Sequence, residues 1–383
     1  MAERRSRIAM NGVTGRLGHN QHLVNAILAI RKDGGIALAN GDRLMPEPVL
    51  LGRSGDKLKA LAAAHAVAAW STDAAAVLAD PTVEIYFDAA ATAGRVPRAM
   101  QAIAAGKHVY LEKPTADTLE DALGLARAAE RAGLRNGVVQ DKVFLPGFQK
   151  LRKLKEAGFF GRLLSAKLDF GWWIFDGEMH PAQRSSWNYR KAEGGGLILD
   201  MFPHWRYMID ALVAPVQAVT CRHAILAPRR RDEAGRAYDV DVEDEAVAIL
   251  ELQGGILAQV ASSWSTRVRR EDMLTLQVDG TKGSAVATLH RCCIQPDVAT
   301  PKPTWNVQTR LDQDFLADWQ EVPDVEPFKN SYRCGWELFL RHVAEGTAFP
   351  SPLLAGAKGL QLVDACYRSH RERRWVDLPP LSL

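Results

Sequence analysis

Two titratable residues stand four positions apart after a run of glycines: the segment GGGLILDMFPH covers residues 194–204 and contains Asp200 and His204. Oxidation of a carbinol needs a base for the hydroxyl proton, and histidine, with an unperturbed pKa of about 6.5, accepts such a proton near neutral pH. On a helix this spacing places both side chains on one face. The pair therefore predicts acid–base chemistry at a hydroxyl group. Each residue alone also has a structural interpretation, an N-cap for Asp200 and a buried, hydrogen-bonded ring for His204.

A lysine with chemical potential follows a predicted strand: Lys113 lies in Glu112-Lys113-Pro114, directly after His108–Leu111. In an open parallel sheet this position is at the carboxyl edge, where ligands bind. A lysine there can donate to a substrate hydroxyl and stabilise alkoxide charge, and Pro114 can fix the chain through a cis bond. The pattern predicts an active-site lysine, although a lone Lys-Pro pair is also typical of a simple turn.

A glycine-rich segment lies between the first predicted strand and the first predicted helix, with the sequence GVTGRLG over residues 12–18. Glycines at such a turn let backbone N–H groups approach a pyrophosphate at the helix N-terminus. The segment predicts a dinucleotide site, with the cofactor contacted by Gly12, Thr14, Gly15, Arg16 and Leu17. Its spacing is G-x-x-G-x-x-G and not the commoner G-x-G-x-x-G, so a tight turn without a ligand is the alternative.

The end of the second long strand bears on the choice of cofactor. Enzymes that bind NAD usually place Asp or Glu there, whereas those that bind NADP lack the carboxylate and often have Arg. The residues here are Leu51-Gly52-Arg53-Ser54. Arg53 and Ser54 are therefore predicted to contact the cofactor, with NADP slightly favoured over NAD. An exposed arginine beside a helix start is the structural alternative.

These residues need a scaffold, and the first third of the chain alternates short apolar runs with Ala-rich helical stretches. Such alternation predicts a doubly wound parallel sheet, the Rossmann plan, with helices on both faces. The predicted strands are Arg7–Asn11, Pro48–Gly52, Glu84–Ala89, His108–Leu111 and Asn136–Gln140, and the predicted helices are Leu23–Arg31, Lys57–His65, Arg95–Ala105 and Thr118–Ala132.

The middle of the chain has consecutive strand-like segments without helices between them, which predicts a C-terminal α+β domain with an open, mainly antiparallel sheet. These segments are Ala246–Leu252, Ile256–Ser263, Met273–Val278 and Gly283–Leu289. Helical periodicity returns in Tyr332–Gly346 and Ala355–Arg373. We predict a dinucleotide-binding domain over 1–142, a substrate-binding domain over 143–345, and a helical tail over 346–383 that packs on the first domain.

Composition excludes several classes of protein. The net charge is +3, from 48 basic and 45 acidic residues, and the one dense basic run, 229–231, is followed at once by two acidic residues, so nucleic acid is not an expected partner. No stretch has the length and apolarity of a membrane span or signal peptide. Five cysteines without C-x-x-C spacing suit a reducing compartment. We expect a cytoplasmic protein without a metal site or membrane contact.

The three motifs occur in the order glycine turn, Glu-Lys-Pro, and Gly-Gly-Gly followed by Asp-x-x-x-His, along nearly the whole chain. In this order they resemble the glucose–fructose oxidoreductase / inositol dehydrogenase (Gfo/Idh/MocA) family. The resemblance implies a carbohydrate bound in a cleft between the two domains. It also implies that Lys113 is the active-site lysine, Asp200 the carboxylate that orients the substrate, and His204 the acid/base; Glu112 and Lys113 are also expected to contact the cofactor.

Two departures from the family pattern concern the surroundings of the site. Where the family often has Thr-Pro followed by Asn and His after the fourth strand, this chain has Asp88-Ala89-Ala90-Ala91-Thr92. The sequence therefore does not indicate which residues contact the nicotinamide. Phe202-Pro203 stands where small residues often precede the histidine, which narrows the expected pocket.

Aromatic and polar residues that suit a sugar site cluster before the glycine run. Aromatic rings stack on the C–H faces of sugars, but in strands they are more often core residues. Trp187 and Arg190 are the predicted substrate contacts, and weaker candidates are Trp172, Trp173, Asn188 and Tyr189.

The predicted function is hydride transfer between NAD(P) and a secondary hydroxyl of a sugar, glycoside or cyclitol. Two other classes of function stay open: an NAD-assisted enzyme that cleaves glycosides with no net redox change, and a non-enzymatic dinucleotide-binding regulator. Net formation of reduced cofactor distinguishes the first class from the other two. The open sheet face predicts a homodimer or a homotetramer.

Overall fold

The computed structural model describes residues 2–171, 185–266, 272–301, 308, 314, 316–324 and 327–383. The chain forms two compact units. The first consists of Met1–Phe144, Lys329–Asp364 and Pro380–Leu383, and the second of Leu145–Phe328 and Ala365–Pro379.

The first unit begins with alternating strands and helices, as predicted. A π-helical segment, Gly18–Leu28, follows the first strand and continues directly into the first α-helix. The elements are β1 (Glu3–Asn11), α1 (Ala29–Lys32), β2 (Ile36–Ala37), β3 (Arg43–Leu51), α2 (Gly55–Ala64), β4 (Ala69–Ser71), α3 (Ala74–Ala79), β5 (Val83–Asp88), α4 (Arg95–Ala104), β6 (His108–Leu111), α5 (Leu119–Arg131), β7 (Asn136–Val138) and a 3-10 turn at Lys142–Phe144.

The seven strands form one sheet in the order β2-β3-β1-β5-β6-β7, with β4 also paired to β3. All neighbours are parallel except β2 and β3. Ile8 and Met10 of β1 lie in one apolar core and Ala9 lies in the other. Both faces of the sheet are therefore covered, which explains why the parallel strands read as continuous apolar runs.

The second unit contains a second sheet. Its elements up to residue 328 are α6 (Pro146–Glu156), β8 (Leu163–Gly171), 3-10 turns at Ser186–Tyr189 and Lys191–Glu193, α7 (Leu197–Leu212), β9 (Val216–Ala224), β10 (Arg229–Arg231), β11 (Ala237–Asp239), β12 (Glu245–Leu252), β13 (Ile256–Ser263), β14 (Leu274–Gly280), β15 (Gly283–Ala287), β16 (Cys292–Pro296), a 3-10 turn at Asp297–Ala299, and β17 (Gln320–Glu321).

The carboxyl-terminal elements are α8 (Ser331–Glu345), α9 (Leu353–Glu372) and β18 (Val376–Asp377). The units differ here from the predicted segments 143–345 and 346–383. Because Trp336 and Phe339 of α8 are buried in the same core as Ile8, residues 329–345 belong to the first unit. The boundary between the units falls within α9, and residues 365–379 belong to the second unit, so the predicted tail contributes to both.

The second sheet has nine strands in the order β17-β16-β15-β14-β8-β13-β12-β9-β18, and β10 and β11 form a separate hairpin. All neighbours are antiparallel except β8 and β13, which confirms a mainly antiparallel sheet. Along β12 the side chains of Ala246, Ala248 and Leu250 are buried, whereas Val247 and Ile249 are exposed. One face is therefore covered and the other is open, the alternation typical of a half-buried sheet.

No helix among the described residues is both long enough and apolar enough to cross a membrane.

Candidate active site

In the glycine turn after β1, the first and last glycines lie against other backbone atoms. Gly12 has a φ of +86°, and a Cβ atom there would lie 2.3 Å from the backbone nitrogen of Ala90. A Cβ on Gly18 would lie 2.4 Å from the carbonyl oxygen of Gly12, so both positions exclude side chains. At Gly15 the nearest atom to such a Cβ would be 3.4 Å away, and residues 14–17 are exposed. The turn therefore presents exposed residues at a helix start, an arrangement that fits a bound pyrophosphate.

The end of β3 holds the two residues that bear on cofactor choice. Ser54 is the N-cap of α2, and its hydroxyl accepts a hydrogen bond from the Lys57 backbone N–H at 3.5 Å. Arg53 is exposed directly beside it. Ser54 thus has a structural task of its own, while the guanidinium of Arg53 faces solvent at the edge of the sheet where dinucleotides bind.

The turn that carries Lys113 is held on both sides. The Lys113–Pro114 peptide bond is cis, and the Lys113 backbone N–H donates to Glu112 Oε2 at 3.0 Å. On the other side the guanidinium of Arg95, itself buried, donates to the carbonyl oxygen of Glu112 at 2.9 Å and also to that of Pro114. The backbone of this turn is therefore fixed by side chains from two directions.

A buried carboxylate supports the loop where the chain departs from the family pattern. Asp88, at the end of β5, accepts hydrogen bonds from Arg98 Nε and from the Tyr86 hydroxyl, each at 2.8 Å, and from the Ala90 backbone N–H at 2.9 Å. Burial alone would raise the pKa of Asp88, but the hydrogen bond from Arg98 and the charges of Arg95 and Arg98 outweigh it and lower that pKa. Sequence reasoning missed this cluster, although an aspartate at a strand end with two arginines in the next helix was a usable signal.

In the second unit, Asp200 and His204 lie on α7, four residues apart and hence on one face of the helix. Asp200 is half-buried, and His204 is 5% exposed with its Nδ1 atom 2.8 Å from the Tyr207 hydroxyl. The N-cap interpretation of Asp200 is wrong, because α7 begins after Gly196 and Asp200 stands within its first turn. Pro203 lies inside α7, past its first turn.

The N-terminus of α7 is capped by a residue from elsewhere in the second unit. Glu243 accepts the Leu197 N–H through its backbone oxygen at 3.1 Å and the Ile198 N–H through Oε1 at 2.8 Å. The same Oε1 atom accepts the Tyr367 hydroxyl at 2.9 Å. Burial raises the pKa of Glu243, and the hydrogen bond from Ile198 offsets only part of this rise. A Cβ on Gly196 would lie 3.0 Å from Oε1, so the last glycine of the run makes room for the cap.

The predicted substrate contacts near the glycine run have different environments. Trp187 is 45% exposed, whereas Tyr189 is fully buried and its ring packs edge-on against Trp264. The Arg190 guanidinium lies 3.0 Å from Glu193 and stacks 4.6 Å from the centre of the Tyr238 ring. Tyr189 is therefore a core residue, and Arg190 has structural partners. The candidates Trp172 and Trp173 lie outside the described residues.

The structure divides the predicted site residues between the units. It brings the glycine turn and the Glu112-Lys113-Pro114 turn to the carboxyl edge of the parallel sheet in the first unit, and Arg53 and Ser54 follow β3 at that same edge. Trp187, Arg190, Asp200 and His204 belong to the second unit.

A glycine turn at the carboxyl edge of a parallel sheet is the arrangement of a dinucleotide-binding protein. Residues 7–140 match the model of the oxidoreductase family with an NAD-binding Rossmann fold, and residues 148–286 match the GFO/IDH/MocA C-terminal domain. The chain belongs to the Gfo/Idh/MocA family. The predicted family, fold class and oxidoreductase activity are therefore confirmed.

Individual relatives extend this comparison. The chain is 46% identical over 381 residues to a D-xylose dehydrogenase of Paenarthrobacter nicotinovorans, covering 98% of each chain. It is 24% identical to a levoglucosan dehydrogenase of Pseudarthrobacter phenanthrenivorans, over 82% of this chain and 84% of that one. A solved levoglucosan dehydrogenase in complex with NADH and levoglucosan superposes with a TM-score of 0.81 at 19% identity, covering 98% of this chain and all of that one, which shows a shared fold.

Proposed function

We propose that this protein is an NAD(P)-dependent sugar dehydrogenase that oxidises a hydroxyl group of D-xylose or of a closely related pentose. The observation that carries the proposal is the 46% identity to a D-xylose dehydrogenase along the whole length of both chains. The other named relative, a levoglucosan dehydrogenase, also acts on a carbohydrate, so the sugar class rests on more than one comparison.

In this proposal Lys113, Asp200 and His204 are the catalytic side chains. Lys113 donates a hydrogen bond to the hydroxyl oxygen and stabilises the negative charge that develops there. His204 takes the proton, and its contact with the Tyr207 hydroxyl at 2.8 Å keeps the imidazole in one orientation. Asp200, on the same face of α7, orients the substrate. The nicotinamide, when bound, supplies the oxidising equivalent.

The glycine turn, residues 12–18, is the proposed pyrophosphate site, with Gly12, Thr14, Gly15, Arg16 and Leu17 against the cofactor. The exposure of residues 14–17 supports this assignment. We further propose a preference for NADP over NAD. The exposed guanidinium of Arg53, and the absence of a carboxylate between β3 and the N-cap Ser54, support that preference because a ribose 2′-phosphate is an anion.

The open face of the second sheet is the proposed interface of a homodimer or homotetramer. Val247 and Leu257, on adjacent strands, are 51% and 52% exposed, and Ile249 between them is 39% exposed. Exposed apolar side chains on an open sheet face, here with Glu251 opposite Leu257 and Gln259 opposite Ile249, are compatible with a protein–protein interface. Light scattering of the purified protein tests the interface, since Val247→Lys with Leu257→Lys should convert the oligomer to a smaller species.

All five cysteines are free, which supports the proposal of a cytoplasmic location because reducing compartments keep thiols unpaired. Cell fractionation tests it.

The activity is tested by offering NAD and NADP with D-xylose, other free sugars, glycosides, anhydrosugars and inositols, and following reduced nicotinamide by absorbance. Reduction with D-xylose supports the proposal. Cofactor binding without any net reduction would instead favour an enzyme that cleaves glycosides with no net redox change, or a regulator, and product analysis by chromatography would distinguish these two.

A further inference from the structure

A buried chain of hydrogen bonds in the first unit ends at the backbone of Lys113. Trp336 Nε1 donates to His22 Nδ1 at 3.1 Å, His22 Nε2 lies 2.8 Å from Glu112 Oε1, and Glu112 Oε2 accepts the Lys113 N–H at 3.0 Å. The side chains of His22 and Glu112 are 1% and 5% exposed, and Trp336 is fully buried. Three elements far apart in sequence are therefore joined without access to water.

The indole of Trp336 fixes which group donates and which accepts in each of these hydrogen bonds. An indole N–H is a donor only, so His22 Nδ1 must accept and cannot carry a proton. The proton of the neutral ring is then on Nε2, which donates to Glu112 Oε1. A doubly protonated ring would set an N–H group against the indole N–H. Glu112 thus receives two donors, one on each oxygen, and the ionised carboxylate is the form that fits.

The surroundings leave the His22 ring little freedom to rotate. Its ring centre lies 4.4 Å from that of Phe87 and 5.0 Å from that of Tyr332. The buried guanidinium of Arg95 interacts electrostatically with Glu112 and donates to its carbonyl oxygen. The carboxylate therefore has a cation on one side and a single neutral tautomer on the other.

We propose that Trp336, His22 and Glu112 form a positioning relay for Lys113. The relay fixes the Lys113 N–H while Arg95 fixes the flanking carbonyl oxygens, so that the lysine side chain leaves the turn in one direction. The inference rests on the proposed function of Lys113 as the residue that contacts the substrate hydroxyl. A displacement of about 1 Å at such a residue costs on the order of 10²-fold in rate, which makes a relay of this kind consequential.

The decisive variants are Glu112→Gln, Trp336→Phe and the double variant. A glutamine at 112 has one oxygen and one NH₂ group, so either orientation sets two donors face to face, at His22 or at Lys113. Phenylalanine at 336 removes the indole donor, and His22 can then carry its proton on Nδ1 and accept from the amide. We expect Glu112→Gln to lower kcat by about tenfold or more, and the double variant to recover about fivefold over Glu112→Gln.

Matched controls separate the relay from loss of packing. Phe339, on the same helix and in the same core, makes no described hydrogen bond to His22, so Phe339→Leu combined with Glu112→Gln should not restore kcat. His22→Gln retains a donor for Glu112 and should keep more activity than His22→Leu. A double variant no more active than Glu112→Gln, in an otherwise active enzyme, would overturn the relay.

Nitrogen-15 NMR of labelled histidine tests the relay independently of turnover. The His22 resonances, assigned by their loss in His22→Gln, should show the neutral Nε2–H tautomer in the unmodified protein and the Nδ1–H tautomer in the double variant. An Nδ1–H or doubly protonated ring in the unmodified protein would contradict the relay. If no substrate is oxidised, the proposed function fails while these spectra still decide the relay.

Discussion

Glu243 caps a helix that begins 46 residues earlier in the chain: its Oε1 atom accepts the backbone N–H of Ile198 at 2.8 Å. The first N–H groups of a helix have no partners within the helix and need outside acceptors. Asp200 stands in the first turn of this helix, on the same face as His204. The glycine run that precedes the helix provides the space for this cap.

The cap should contribute measurably to stability. Glu243→Ala removes the acceptor for Ile198 and for the Tyr367 hydroxyl, so the free energy of unfolding should fall by about 2 kcal/mol or more. Glu243→Gln keeps an oxygen that can accept both groups and should lose less stability than Glu243→Ala. Urea denaturation measures both differences, and an equal loss in the two variants would contradict the cap.

The contribution of Glu243 to the free energy of unfolding should depend on pH, and the direction of that dependence follows from the pKa shift. Because burial raises the pKa of Glu243 in the folded protein above its ordinary value of 4.5, the folded state favours the protonated carboxyl group. The contribution of this group is fully present below the ordinary value and is lost as the pH rises through the raised pKa. The stability of Glu243→Gln relative to the unmodified protein should therefore increase over that pH range. A difference that is constant with pH would refute the raised pKa.

Arg95 should matter to turnover more than Arg98, although both pair with Asp88. Arg95 also holds the Glu112 and Pro114 carbonyl oxygens, whereas the described contacts of Arg98 do not include that turn. A lysine cannot reproduce several directed donors, so Arg95→Lys should lower kcat by about tenfold or more. Arg98→Lys is the matched control and should lower it far less. Similar losses in steady-state assays of the two variants would exclude a special role for Arg95.

Lys113→Ala and His204→Ala should each lower kcat by about 10²-fold or more, because each removes a group that the proposal places at the reacting hydroxyl. Cofactor affinity, measured by fluorescence titration, should change little for His204→Ala. Unchanged turnover in both variants would refute the assignment of these residues.

Arg53→Ala should raise the KM for NADP by about tenfold, since a charge-assisted hydrogen bond to phosphate contributes about 1.5 kcal/mol or more. The KM for NAD, which lacks the phosphate, should stay nearly constant and serves as the internal control. Equal effects on the two cofactors would remove the basis for an NADP preference.

Much of the fold was predictable because periodicity reports burial directly. The strand His108–Leu111 and the strand Ile256–Ser263 have the predicted bounds, and the helix predicted over Arg95–Ala105 ends one residue earlier. The prediction of the first helix, Leu23–Arg31, was less accurate. The chain is π-helical over Gly18–Leu28, whereas the predicted pattern assumes α-helical spacing. The division of the carboxyl-terminal helices between the units depends on long-range packing, which local pattern does not encode.

Prediction of the site from the sequence had the same limit. Residues that do chemistry, such as Lys113 and His204, could be singled out by type and spacing. Supporting residues such as His22 and Glu243 could not, because their partners Glu112 and Ile198 are distant in the sequence. A buried histidine or glutamate has no local signature that distinguishes it from an exposed one, and only the packed structure reveals its partners.

The central claim, oxidation of a pentose by nicotinamide, is tested most directly by steady-state assays of the purified protein with NAD and NADP against D-xylose and the wider carbohydrate panel. We predict formation of reduced nicotinamide with D-xylose, at a higher kcat/KM than with hexoses, glycosides or inositols, and with NADP preferred. Bound cofactor that stays oxidised with every sugar in the panel would contradict the claim.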